Sequence, residues 1–213
     1  MFKYLLIILL SLSSQLVFAT AQQPDTIVID GNELPLNTNP LDDYIESKGW
    51  QPPEEASIWS SNWRGYIAKW EVIAGKLTLI EASILLKGHP IDEPKRKTII
   101  SDLFPKNHSL VAEWYSGALI VPDGEMTNYV HMGYGSEYSN YQILRVNKGI
   151  VIEHLSFTSK QFEAYQNRKF QSFKESEKFK KEFNELVTGK DKWSEEDAIH
   201  FLKSFYSEYY LSL

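Results

Sequence analysis

The chain has 213 residues, 43% of them hydrophobic and 23% charged, an ordinary globular composition at a length that can bury a core. A formal net charge of −6 and a pI near 5.4 argue against nucleic acid as a partner. The absence of cysteine excludes disulfides, thiol catalysis and thiolate metal sites.

Met1 to Ala21 has the pattern of a secretory signal peptide: Lys3 as the positive n-region, an apolar run from Tyr4 to Leu10, and Ala19-Thr20-Ala21 as a small-x-small cleavage site. The alternative, a membrane anchor, is disfavoured because Ser11, Ser13, Ser14 and Gln15 interrupt the run. No later stretch is apolar enough to span a bilayer. Loss of Lys3 leaves 21 basic and 28 acidic residues, a mature charge of −7. An exported protein without disulfides, periplasmic or secreted, fits a bacterial source. Residues 22–213 are expected to form one α+β domain, strand-rich over 26–157 and helical over 158–211.

Thr26 to Ile29 predicts a strand ended by the Asp30-Gly31-Asn32 turn. Asn39-Pro40 predicts a helix start, with Asn39 as N-cap, Asp42 and Asp43 in the first turn and Gly49 as the stop. Gln51 to Glu55 then leads as a loop into the central feature, a hairpin within Ser61 to Ile84. Tyr66, Ala68, Trp70 and Val72 alternate with Ile67, Lys69, Glu71 and Ile73. A two-residue turn at Ala74-Gly75 pairs Val72 with Leu77, Trp70 with Leu79, and Lys69 with Ile80. The run Trp63-Arg64-Gly65-Tyr66-Ile67-Ala68-Lys69-Trp70-Glu71, followed by Gly75-Lys76-Leu77-Thr78-Leu79, resembles a motif of uncharacterised bacterial proteins; Ala112 to Gly117 fits the same pattern. The resemblance covers the middle third of the chain and implies no function.

Lys87 to Lys97 reads as the longest loop, with Lys95-Arg96-Lys97 as a solvated basic tip, and Thr98 to Phe104 as a short helix. Ser109–Tyr115, Ala118–Val121, Thr127–Met132, Tyr138–Val146 and Ile150–Phe157 read as strands. Pro122-Asp123-Gly124 reads as a turn, and so does Asn147-Lys148-Gly149. Short connections make the sheet mostly antiparallel and hairpin-built. Thr158 and Gln161 form a capping-box pair before an aromatic-striped helix ending at Thr188-Gly189, with a kink or exposed stretch between Lys174 and Lys178. Ser194 caps a second helix, with Asp197 at its third position. These helices are expected to pack on the sheet.

The sequence contains no nucleophile elbow, no metal-binding helix motif and no dinucleotide loop. The pattern calls for no cofactor and no metal. His131 and His154, on predicted strands, are candidates for a general base. Glu71 and Glu113, each beside a tryptophan, are candidates for paired carboxylates acting on a glycoside, although strand alternation puts each on the solvent side. Aromatics make up 14% of the chain. Trp63, Tyr134, Trp50 and Trp59 are candidate binding rings near turns. The expected function is a non-catalytic protein-interaction domain, of inhibitor or immunity type. Alternatives are a carbohydrate-binding module, with a glycan as ligand, or a cell-envelope hydrolase.

Overall fold

A computed structural model of the chain describes residues 21–90, 93–104, 109–190 and 192–213. Of the expected leader, only Ala21 lies within the described residues. Eight strands form one mixed sheet: β1 Asp25–Ile29, β2 Asn32–Leu36, β3 Ile67–Ile73, β4 Lys76–Leu85, β5 Arg96–Thr98, β6 Gly117–Asn128, β7 Glu137–Asn147 and β8 Ile150–Thr158. The helices among the described residues are α1 Asp42–Ser47, α2 Ile100–Leu103, α3 Ser159–Lys174, α4 Glu177–Thr188, α5 Glu195–Phe205 and α6 Ser207–Ser212.

The strand order is β2-β1-β3-β4-β8-β7-β6, with β5 on the end of β4. All pairings are antiparallel except β1 with β3. Beyond β2, the Asn37 N–H donates to the Ile120 carbonyl at 2.8 Å, so the two outer strands meet and the sheet curls around its own apolar face. Trp70, Leu77, Leu79, Leu119, Val121 and Leu144 belong to the core inside that curl. A second core lies on the other face of β6 and β7. There Ala118, Ile120, Tyr141 and Ile143 meet Phe162, Tyr165, Phe170, Phe173 and Tyr210 from the helices.

The central hairpin forms as its alternation dictates. Trp70 pairs with Leu79 and Val72 with Leu77, and Trp70 and Leu79 are both fully buried. Ala74 and Gly75 both have positive φ, 49° and 75°, the conformation whose twist suits a two-residue hairpin. Lys69 pairs with Glu81, not with Ile80 as the uninterrupted register predicts. The extra residue is a bulge that turns both Ile80 and Glu81 outward and returns Ala82 and Ile84 to the core.

Other departures have local causes. Asn39 does not cap α1; its side chain is taken by Arg64 and Tyr134, and the helix starts after Leu41 without a side-chain cap. Pro122-Asp123-Gly124 is not a turn. β6 continues through it, with Pro122 opposite Tyr141 and a bulge beyond Asp123, because Pro is tolerated in the outermost strand of a sheet. The stretch expected as a strand from Thr127 is the end of β6, and the chain leaves the sheet after Asn128. Of Ser109–Tyr115, only Val111 bridges β4, through Thr78. The basic run overlaps β5, where Lys97 meets Glu55 at 2.9 Å. The kink between Lys174 and Lys178 is a helix break: α3 stops, Ser176 accepts from the Phe179 N–H, and α4 begins. The Thr158–Gln161 capping box and the Ser194 cap form as expected.

Trp70→Ala should lower stability by about 3–5 kcal/mol, as large aromatic deletions in a core do. Glu71→Ala, on the half-exposed opposite face, should cost under about 0.5 kcal/mol. Urea denaturation of both variants checks this, and equal midpoints for Trp70→Ala and the parent would refute the packing.

Candidate functional site

The main concentration of buried charge lies at the start of β1. Asp25 is fully buried. Its Oδ1 accepts from the Ala68 N–H at 3.0 Å and from Arg64 Nη1 at 3.2 Å, and its Oδ2 accepts from Trp70 Nε1 at 3.3 Å. Arg64 also donates to Asn39 Oδ1 at 2.6 Å and to the Gln23 carbonyl at 3.0 Å. Tyr134 donates to the same Asn39 oxygen at 2.8 Å, and the Tyr66 hydroxyl donates to Asp42. Local backbone geometry brings Arg64 there. Gly65, at φ +73°, passes so close to Pro52 that a Cβ would sit 2.5 Å from Pro52 Cγ.

Burial is the dominant electrostatic influence. It pushes the Asp25 carboxyl above its ordinary range, with the Arg64 charge acting in the opposite sense. Burial does the same to Asp42, lifts Tyr66 well above a free phenol and pushes Tyr134 up to about 12. For Arg64, burial acts against the charged form, but Asp25 and the surrounding acidic groups more than offset it, so the guanidinium stays charged. Every Arg64 partner is internal, and its side chain is only 2% exposed. The Asp25–Arg64 pair therefore joins segments from inside the fold, while Asp42 and Tyr134 at its margin are half-buried.

A smaller polar site lies where α6 meets β6. Glu208 faces Tyr115 above Gly117; a Cβ on that glycine would sit 2.7 Å from the Tyr115 hydroxyl and 3.2 Å from Glu208 Cγ. The Tyr115 hydroxyl and Thr38 Oγ1 are buried there without a hydrogen bond of good geometry. Burial pushes the Glu208 carboxyl up to about 7, Tyr115 pulls it down, and Asp43 and Asp42 raise it further.

The candidates drawn from the sequence are dispersed. His154 Nε2 lies 2.7 Å from Gln142 Oε1, and Gln142 donates to Asp123 at 2.9 Å, a polar row across three strands. His131 lies in the loop after β6, with its Nδ1 2.8 Å from the Tyr129 hydroxyl. His154 faces Leu144, seven residues along β7 from Glu137, where that loop rejoins the sheet; that is about 23 Å of strand. Glu71 lies on β3 opposite Thr78, and Glu113 is exposed beside Trp114, whose indole donates to the Pro40 carbonyl at 2.8 Å. Trp50 packs edge-on against Tyr66, Trp59 is half-buried, and Tyr134 is held in the Arg64 cluster. Trp63 is the widely exposed ring of the four, at 64%. Among the described residues, no group of three or more His, Asp or Glu side chains could hold a metal.

Sequence reasoning did not single out Asp25, Arg64 or Glu208. An aspartate directly before an apolar strand and an arginine within an aromatic turn were the available signals. Neither shows that the two residues meet. No protein-family model, curated protein or solved structure matches the chain, so no relative supplies a function.

Arg64→Met leaves Asp25 buried without its cation and should cost about 3–5 kcal/mol, measured by chemical denaturation. Folded Glu208 keeps its proton up to about pH 7, whereas the unfolded carboxyl releases it near 4.5. The folded state binds the extra proton in that window, so stability should be highest below it and fall as pH rises through it. Glu208→Gln should flatten this part of the stability–pH curve, and an unchanged slope would remove Glu208 as its source.

Proposed function

We propose that the mature chain is an exported, non-catalytic protein-interaction module of inhibitor or immunity type. The observation that carries this reading is a set of exposed apolar side chains on two loops flanking the start of the described chain. Ile58 and Trp63 lie on one loop, and Tyr129 and Met132 on the other; each is more than half exposed. The intervening chain ties the loops together. The Gln22 N–H donates to the Gly133 carbonyl at 2.9 Å, and the Gln23 N–H donates to the Ser61 carbonyl at 2.7 Å. Aromatic side chains such as Trp63 and Tyr129 make effective interface anchors, since they bury a large area at the cost of few rotatable bonds, and the unbranched Met132 can adapt its shape to a partner. Export rests on the Met1–Ala21 leader pattern.

The test is affinity capture by the mature protein from its own cell envelope, beside the Trp63→Ala variant. Intact mass should show an N-terminus at Gln22. Trp63→Ala should weaken capture at least tenfold while shifting the melting temperature little, because the ring is mostly in solvent. Capture of glycan in place of protein, with tryptophan fluorescence responding to it, would establish the carbohydrate-binding alternative. Undiminished protein capture by the variant would reject this loop surface.

A further inference from the structure

The nine-residue strand β8 is paired along its whole length with β7 on one edge. Its other edge is occupied only at the beginning. Lys76 of β4 lies opposite Ile150, and the Val151 N–H donates to the Gly75 carbonyl at 2.9 Å. From Ile152 to Thr158, the second edge has no strand partner among the described residues. β4 diverges here because its corresponding edge is taken by Val111 and then by β5. Such an edge offers a row of backbone donors and acceptors, and natural sheets commonly protect it with proline, lysine or a covering segment. β8 has neither residue, and Glu153, its one acid, is engaged by Arg145 at 2.9 Å.

The open edge leads into a groove. Ser156 and Phe157 form its strand side, and Gln161, Ala164, Tyr165 and Arg168 form its helix side, around a volume of about 350 Å³. Gln161, Ala164 and Arg168 recur at helical spacing on one face of α3, and the small Ala164 leaves the middle of the wall open. Ile152, further along the same strand, is 57% exposed. The one charged side chain in the groove lining is Arg168, a cation in a chain of opposite net charge. α3 carries Lys160, Arg168, Lys169 and Lys174 against Glu163 alone, within a chain of net charge −6. Arg168 lies over the Tyr165 ring at 5.3 Å and has no carboxylate within ion-pair distance among the described residues.

We propose that β8 and the α3 groove bind an extended, acidic segment of another protein by strand addition, with Arg168 pairing one of its carboxylates. The inference rests on the protein-interaction reading and assigns it a second surface, distinct from the loops that carry Trp63. Backbone hydrogen bonds supply affinity in such a mode, and alternate side chains supply selectivity. A strand laid along Ile152–Thr158 presents every second side chain to the α3 wall.

The test selects ten-residue peptides from a random display library on the mature protein. Recovered peptides should be rich in Asp and Glu. Arg168→Glu should weaken them at least tenfold, and replacing the critical acid by Lys should restore binding to that variant. Ala164→Phe should block the groove. Methylating alternate peptide nitrogens should abolish binding in one phase and spare it in the other, which a purely side-chain contact would not do. Arg168 and Ala164 are exposed, and melting curves verify that both variants fold. Recovery of no peptide, or of basic peptides indifferent to Arg168→Glu, overturns the proposal. So does a dimer in sedimentation that Ala164→Phe dissolves, which would assign the edge to a second copy. Envelope capture that depends on Trp63 but not on Arg168 would defeat this inference and leave the protein-interaction reading standing. Failure of the parent protein to capture any protein would defeat that reading itself.

Discussion

The buried carboxylate of Asp25 is the constraint on which the barrel-like part of the fold depends. An ionised acid removed from water costs several kcal/mol unless charges and hydrogen bonds replace the lost hydration. Here the replacement comes from three directions: the Arg64 guanidinium, the Ala68 amide and the Trp70 indole. Meeting that requirement sets β1 beside β3 in the sheet's single parallel pairing. It also fixes where the turn at Gly65 must run. From Arg64 the network extends through Asn39 to Tyr134, and from Tyr66 to Asp42, so it ties α1 and the loop after β6 to the same point. Such a pair adds little net stability over apolar packing, but it heavily penalises arrangements in which its members do not meet. Its contribution is to the choice of one topology over its neighbours.

Much of the architecture was legible where the pattern is local. The alternation from Tyr66 to Ile73 and the Ala74-Gly75 turn determine the central hairpin, because a period of two and a tight turn are properties of adjacent residues. The same holds for Thr158 with Gln161 and for Ser194, whose caps act within one helical turn. The class, an antiparallel-rich sheet with helices at the C-terminal end, follows from those local elements.

What was not legible depends on distant partners. Asn39 has every local mark of a helix cap, yet a stronger donor 25 residues away claims its side chain. Pro122 and Gly124 form a good turn sequence in isolation, but twelve residues of β6 lie against β7 and hold the chain extended. The Ile80 bulge came from a register shift that alternation alone does not reveal. Candidate sites suffered most. His131 and His154 share only their predicted secondary structure, and the residues that do converge, Asp25 with Arg64, are 39 positions apart.

The two apolar cores share one wall. From Gly117 to Pro122, β6 is buried on both faces, with Leu119 and Val121 turned into the curled sheet and Ala118 and Ile120 turned toward the helices. Neither core can be exposed without uncovering the strand that serves the other. Fraying of the helices and opening of the sheet are therefore coupled events, even though the sequence changes from strands to helices at Thr158. In the hierarchy of local openings that a native protein undergoes, the amides of this segment belong to the last unit to exchange with solvent, opening only when the whole chain unfolds.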